Sequence, residues 1–279
     1  MKVKHKIPAK INLTLDVKKT DGEYHEIRSL VCSVDIYDTI ILKKRKDELV
    51  TLKEKGIKSG SEVCDNNAVK SAIKYMQTQD TCGVDIILKK KIPVGAGLGG
   101  SSADASGTLV LMEKLYKKNA DVISLANTLG SDTGYMVNGG LKVISGRGDI
   151  IDDVDAKFSA YLLFITDDQA VSTKKCYQLF DKEIEKAGCT DKAIEFLKNN
   201  DMDGFVLNIK NDLYAPALNL LPILKEKIID LKKAGAKTAI MTGSGSAVYG
   251  IFFNEKQRDF AYRILIKKYG KNLIKAKTL

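Results

Sequence analysis

The pattern of apolar and polar positions divides the chain into β-rich and helical stretches. Lys2 to Val17 reads as two short strands broken at Pro8-Ala9-Lys10, with a turn over Lys18 to Gly22. Glu26 to Lys44 gives two further β-rich runs divided near Asp35, and Val50 with Leu52 marks an edge strand. Between Asn67 and Gln77 the residues Ala68, Ala72, Ile73 and Met76 fall at helical spacing. Val84 to Leu88 is a strand that leads into a glycine-rich segment, and the helix after that segment ends near Tyr116. A further helix spans Asp121 to Leu129, followed by a turn at Gly130-Ser131-Asp132 and a strand or bend as far as Gly139-Gly140.

In the second half, Leu141 to Ser145 and Tyr161 to Ile165 read as strands on either side of a polar, turn-rich stretch, Asp149 to Lys157. A domain boundary is expected there, giving domains 1–155 and 156–279. Helices are expected over Thr173 to Ala187, Asp191 to Asn199 and Pro216 to Ala234. Strands Thr238 to Met241 and Ala247 to Phe253 flank Gly243-Ser244-Gly245-Ser246, and a helix from Glu255 to Tyr269 precedes a short last strand. Strands and helices come in clusters, with no strict βα alternation, so the fold class is α+β.

Composition narrows the partners. The 279 residues include 45 basic and 35 acidic side chains, a formal charge of +10. The lysines are scattered and no basic run is interleaved with aromatics, so the excess reads as solvated surface, with no nucleic-acid partner. The five cysteines show neither a C-x-x-C pair nor metal spacing, and with only His5 and His25 available a His-rich metal site is excluded. Odd cysteine number and the lack of an apolar leader or membrane-length run point to a cytoplasmic protein with no membrane partner.

The candidate chemistry centres on Lys91 to Leu111, KIPVGAGLGGSSADASGTLVL. Pro93 is followed by Gly95, Gly97, Leu98, Gly99 and Gly100, then by Ser101 and Ser102 at the start of a helix. Glycines admit positive φ and close backbone approach, while a helix start adds unpaired N–H groups and the positive end of the dipole. The combination is a cradle for phosphate. No Lys follows the glycines, so this is not a G-x-x-x-x-G-K-[ST] loop. Gly95, Gly97 and Gly100 satisfy G-x-G-x-x-G literally, but Asp121 opens a helix where a dinucleotide fold needs a second parallel strand.

This segment resembles motif two of the GHMP kinases, P-x-x-x-G-L-x-S-S with one extra glycine, and most closely the branch that phosphorylates 4-diphosphocytidyl-2-C-methyl-D-erythritol. The resemblance implies the two-domain GHMP kinase fold, with a ribosomal-protein-like N-terminal domain and a ferredoxin-like C-terminal domain. It also implies an ATP-dependent small-molecule kinase of isoprenoid biosynthesis, acting at the 2-hydroxyl of that cytidine diphosphate substrate, with Mg2+ as ion and a monomer or homodimer as the working form. A diverged GHMP kinase acting on another alcohol or sugar is the alternative.

Other stretches extend the resemblance over Pro8 to about Phe253. Pro8-Ala9-Lys10-Ile11-Asn12-Leu13 is similar to the family's first motif; residues two apart on a strand share a face, so Lys10 and Asn12 can address one pocket. Leu129-Gly130-Ser131-Asp132 resembles L-G-A-D, whose Asp is the catalytic base; taken alone, Asp132 reads sooner as a turn residue at a helix end, and the resemblance reverses that order. The resemblance makes Lys10 its partner. Tyr24 and His25, in a D-G-Y-H-E-like segment interrupted by Glu23, match the cytidine site, and Tyr177 after Val171-Ser172-Thr173 matches its second aromatic. Asn66 and Lys90 match positions near adenine, and Asn211-Asp212-Leu213 matches a structural segment. Met241 to Ser246 resembles motif three, G-S-G-P, with Ser246 in place of Pro, and Gly134 departs from the usual D-V-P. By itself a G-S-G turn is an ordinary hairpin.

Overall fold

The computed structural model describes residues 1–20, 24–183 and 187–279. Glu23, whose insertion interrupts the Tyr24-His25 motif, lies outside the described residues. In chain order the elements begin with β1 (Lys2–Asn12), β2 (Asp16–Lys18), β3 (Glu26–Lys44), β4 (Val50–Gly56), α1 (Asn67–Gln79) and β5 (Val84–Lys90). They continue with α2 (Gly100–Tyr116), α3 (Val122–Asn127), α4 (Thr133–Asn138), β6 (Lys142–Gly146), β7 (Ile150–Asp153) and β8 (Tyr161–Ile165). The last third holds α5 (Thr173–Phe180), α6 (Thr190–Lys198), α7 (Met202–Asn208), α8 (Tyr214–Leu220), α9 (Ile223–Lys233), β9 (Thr238–Met241), β10 (Val248–Phe252), α10 (Glu255–Tyr269) and β11 (Leu273–Lys277).

The chain forms two compact units that share its strands. One comprises residues 1–9, 36–94 and 99–139; the other comprises residues 10–35, 95–98 and 140–279. In the first, the later half of β3 pairs antiparallel with β5, Thr39 opposite Lys89, and β4 adds to β5 in parallel, Val50 opposite Val84. Helix α2 packs against α1 and α4. The side chain of Asn66 caps α1 by accepting from the Ala68 amide, and Asp121 does the same for α3 through Ser124.

In the second unit, the first half of β3 pairs with β2 and β6, and β6 turns back on β7. A four-stranded antiparallel sheet follows in the order β11-β8-β10-β9, the ferredoxin-like order anticipated for the C-terminal part. Helices α9 and α10 cover it. Its core is Leu163, Ile165, Val248 and Phe252 from the sheet, with Leu224, Leu231 and Leu265 from the helices. Strand β8 carries no alternation because it is buried almost throughout, as a central strand covered on its faces is.

Several elements depart from the sequence reading. Strand β1 runs unbroken through Pro8, and β3 runs unbroken through Asp35, whose carboxylate accepts the Lys277 amide at 2.7 Å. The stretch after Asp132 is the helix α4, with Thr133 to Met136 buried against α2. Here packing overrides the low helix propensity of Thr, Gly and Val. The single helix expected over Pro216 to Ala234 is two, because Leu221, preceding Pro222, leaves the helical region at φ −142°. Among the described residues no helix is long and apolar enough to cross a membrane.

Candidate functional site

In the second unit, the end of β1, the glycine segment and the turn after β9 are tied together. Lys10 is buried, 4% exposed, and its Nζ donates to Asn12 Oδ1 at 2.7 Å, so the two share a face as their spacing predicts. Asn12 is used on every side. Its Oδ1 accepts the Gly243 amide at 3.1 Å, its Nδ2 donates to Ser29 Oγ at 2.8 Å, and its carbonyl accepts the Tyr249 hydroxyl at 2.8 Å. The Lys10 amide donates to the Leu98 carbonyl at 3.1 Å, and Thr242 Oγ1 donates to the Gly97 carbonyl at 3.1 Å. Motif three therefore braces both motif one and the glycine segment. Asn211 fixes that turn in place, donating to the carbonyls of Met241 and Gly243 at 2.8 Å each.

Gly97 shows why the segment is glycine-rich. Its φ is +76°, and a Cβ there would lie 2.2 Å from the Thr242 carbonyl oxygen. Only glycine meets both demands. Gly95 and Gly99 also have positive φ.

In the first unit, Gly99 is the N-cap of α2 and, having no side chain, leaves the helix start without a side-chain cap. The amides of Gly100, Ser101 and Ser102 have no acceptor within the helix by geometry. Ser101 is exposed and Ser102 half-buried. A 17-residue helix thus offers a polar, uncapped N-terminus beside two hydroxyls, the arrangement that suits an anion. Pro93 stands just before the turn at Val94-Gly95 that leads into it.

Asp132, also in the first unit, is half-buried at the N-cap position of α4 but its carboxylate makes no capping bond. Lys10 and Asp132 belong to different units. The side chains of Asn66 and Lys90 both have partners within the first unit. The Asn66 side chain caps α1 and donates to Glu54 Oε1 at 3.0 Å. The Lys90 ammonium is buried between Asp38 and Asp104.

The aromatic end lies in the second unit. The His25 ring packs at a 37° tilt against Tyr177 with centroids 4.8 Å apart and meets Phe180 edge-on at 5.8 Å. His25 Nε2 lies 2.7 Å from Asp181 Oδ1. Tyr24 is 56% exposed, with the Arg147 guanidinium 3.6 Å above its ring centre. Thr173 and Ser244 hydroxyls are 2.9 Å apart, which links the Val171-Ser172-Thr173 motif to motif three. A cavity of about 630 Å³ opens over β2, β3 and β6, lined by Asp16, Ile27, Arg28, Ser145, Gly146 and Asp191 among others. The ends of the same strands carry Tyr24-His25 and Arg147. Sequence reasoning missed Arg147 and Asp181, which are distant in sequence from the motif they serve and carry no local pattern. It missed Asp38 as well, although an Asp between Ile36 and Ile40 in a buried strand was a usable signal.

Comparison with known proteins adds to this geometry. Residues 67–146 match the GHMP kinases N terminal domain, and residues 193–272 match the GHMP kinases C terminal domain. A 4-diphosphocytidyl-2-C-methyl-D-erythritol kinase of Caldanaerobacter subterraneus subsp. tengcongensis is 35% identical, covering 95% of this chain and 93% of its own. The enzyme of that name from Thermodesulfovibrio yellowstonii is 36% identical over 88% of each chain. A crystal structure of 4-(cytidine 5'-diphospho)-2C-methyl-D-erythritol kinase superposes with a TM-score of 0.85 at 26% identity, over 99% of both chains. Homoserine kinase from Cytophaga hutchinsonii, 18% identical with a TM-score of 0.77 over 100% of this chain and 94% of its own, shares the fold.

Proposed function

Because this chain belongs to the GHMP kinases, ATP-dependent kinases of small molecules, we propose that it phosphorylates the 2-hydroxyl of 4-diphosphocytidyl-2-C-methyl-D-erythritol, giving ADP and the 2-phosphate. The observation that carries this substrate is the run of relatives bearing that activity's name, 34–36% identical over about nine-tenths of both chains. The aromatic cluster of His25 and Tyr177, with Tyr24 beside it, supports a flat nucleobase at one end of the substrate.

The residues then divide the work. The uncapped start of α2, with Ser101 and Ser102, receives the phosphates of ATP. Asp132 takes the proton of the substrate hydroxyl, which is a poor nucleophile until deprotonated. Lys10, oriented by Asn12, offsets charge on the attacking oxygen. Tyr24, His25 and Tyr177 hold the cytosine.

Magnesium belongs to this reading as well. The one group of three acidic or thiol side chains among the described residues, Glu62, Cys64 and Asp65, is exposed and outside the glycine segment. The segment itself offers hydroxyls, which fits an ion held mainly by nucleotide phosphates. Bound there, it would neutralise charge on the transferred phosphoryl group.

ADP release measured over a panel of alcohols tests the proposal. Turnover is expected with the diphosphocytidyl substrate and not with homoserine, mevalonate or phosphomevalonate. Preference for any of those three would replace the substrate while leaving the kinase reading intact.

A further inference from the structure

We propose that Asp38, Lys90 and Asp104 form a buried clamp across the two ends of the glycine segment and act as positioning residues for the phosphates of ATP, without touching the nucleotide. The proposal rests on the reading of that segment as the phosphate site. All three residues lie in the first unit. Lys90 is the last residue of β5, just before the segment; Asp104 lies in the second turn of α2, just after it. Lys90 Nζ donates to Asp38 Oδ2 at 2.8 Å and to Asp104 Oδ2 at 2.5 Å. Asp38 reaches further: its Oδ1 accepts the amides of Lys91 at 2.5 Å and Ile92 at 2.9 Å. The chain entering the segment is thus held by Asp38, the helix leaving it by Asp104, and Lys90 joins the two. The two ends also leave little room for a side chain at Gly100. A Cβ on Gly100 would stand 3.1 Å from Ile92 Cγ2 and 3.8 Å from Lys90 Nζ.

Stability alone is a poor reason for such a cluster. The three side chains are 0–4% exposed, and buried ion pairs are commonly no more stabilising than apolar residues of the same volume. Asp104 Oδ1 has no hydrogen-bond partner, an added cost. What charged hydrogen bonds supply, and apolar packing does not, is direction. Here they fix the angle at which the α2 amides are presented relative to the incoming strand. Direct nucleotide contact by the Lys90 side chain is disfavoured, because its ammonium is taken by the side chains of Asp38 and Asp104. Its carbonyl accepts the Ile57 amide at 3.2 Å.

The test is titration of the full chain with ATP, ADP and adenosine at fixed magnesium. Lys90→Met is expected to weaken ATP and ADP tenfold or more, with adenosine affinity within twofold of wild type. Asp104→Asn, which keeps the shape and an acceptor, is expected to stay within threefold for all three ligands. Should Lys90→Met fail to fold, Lys90→Gln, able to reach one carboxylate, is read in its place with an intermediate loss expected. Unchanged ATP affinity in a folded variant, or an equal loss for ATP and adenosine, overturns the clamp. Ser102→Ala separates this failure from that of the phosphate site itself. If Ser102→Ala weakens ATP and the Lys90 variants do not, the site stands and the clamp is wrong; if neither does, the site falls too.

Discussion

The amide of Gly243 donates to the side-chain oxygen of Asn12 across 3.1 Å, joining residues 231 positions apart in the chain. The same oxygen accepts from Lys10 Nζ. One amide side chain therefore places both the turn of motif three and the ammonium proposed for catalysis. Neither motif reveals this alone, since each reads as an ordinary strand end or hairpin.

Removing that side chain is the first prediction. Asn12→Ala leaves the half-buried Gly243 amide without its acceptor, which costs about 1–3 kcal/mol. Turnover is expected to fall more than ATP affinity, because Lys10 loses the group that orients it. Urea unfolding and steady-state kinetics measure the two effects. A variant with wild-type stability and turnover would show that the Asn12 network is incidental.

The nucleobase end gives the second. Tyr24→Ala and Tyr177→Ala are each expected to cost about 1–3 kcal/mol in binding of the diphosphocytidyl substrate, the usual worth of a base–aromatic stack. Affinity for an analogue lacking the base should be unchanged. Equal weakening of both ligands would mean that neither ring reads the base. Tyr177 is the more informative of the pair, since it also packs on His25.

The third concerns pH. Burial, with the Asp38 charge beside it, raises the Asp104 carboxyl to about 8 despite the opposing pull of Lys90. In the unfolded chain it titrates near about 4. Between those values the folded protein holds a proton that the unfolded chain has released. The contribution of Asp104 is thus fully present below about pH 4 and is lost as pH rises through about 8. Asp104→Asn removes this titration. Stability measured by urea unfolding at pH 5, 7 and 9 should decline less in the variant than in the wild type. Parallel curves would mean that Asp104 titrates normally in the fold.

Much of the architecture was legible because it is local. The helices α2 and α10, the strand β8 and the glycine segment follow from apolar runs and the turn residues that bound them within each stretch. The failures share a cause. The breaks expected at Pro8-Ala9-Lys10 and near Asp35 are absent: β1 and β3 continue through the positions where they pass from one unit to the other. Helix α4 depends on packing against α2 and not on its own propensity. Helix α7 was missed behind Asn199-Asn200, although Asp201 caps it through the Gly204 amide. In the site, Lys10, Asn12 and the glycines were legible as motifs. Their mutual bonds, and the burial of Lys90 between two carboxylates, depend on contacts between distant segments that a motif does not encode.

The fourth prediction concerns Asp132 and Lys10. Asp132 stands at the start of α4 with a carboxylate that does not cap the helix. Lys10 is buried on a strand and held by Asn12. If Asp132 is the base, Asp132→Asn keeps the shape and loses only the ability to take a proton. Turnover should then fall by roughly 10²–10⁴ with ATP affinity nearly intact. Lys10→Met should also lower turnover, since the attacking oxygen loses its counter-charge. Groups that act on one proton transfer are not additive, so the double variant should lose much less than the product of the two single losses. Kinetics on the three variants, with thermal unfolding as the check on folding, decide it. Near-normal turnover in a folded Asp132→Asn protein would remove the assigned base. Fully multiplicative losses would mean that the two residues serve separate steps.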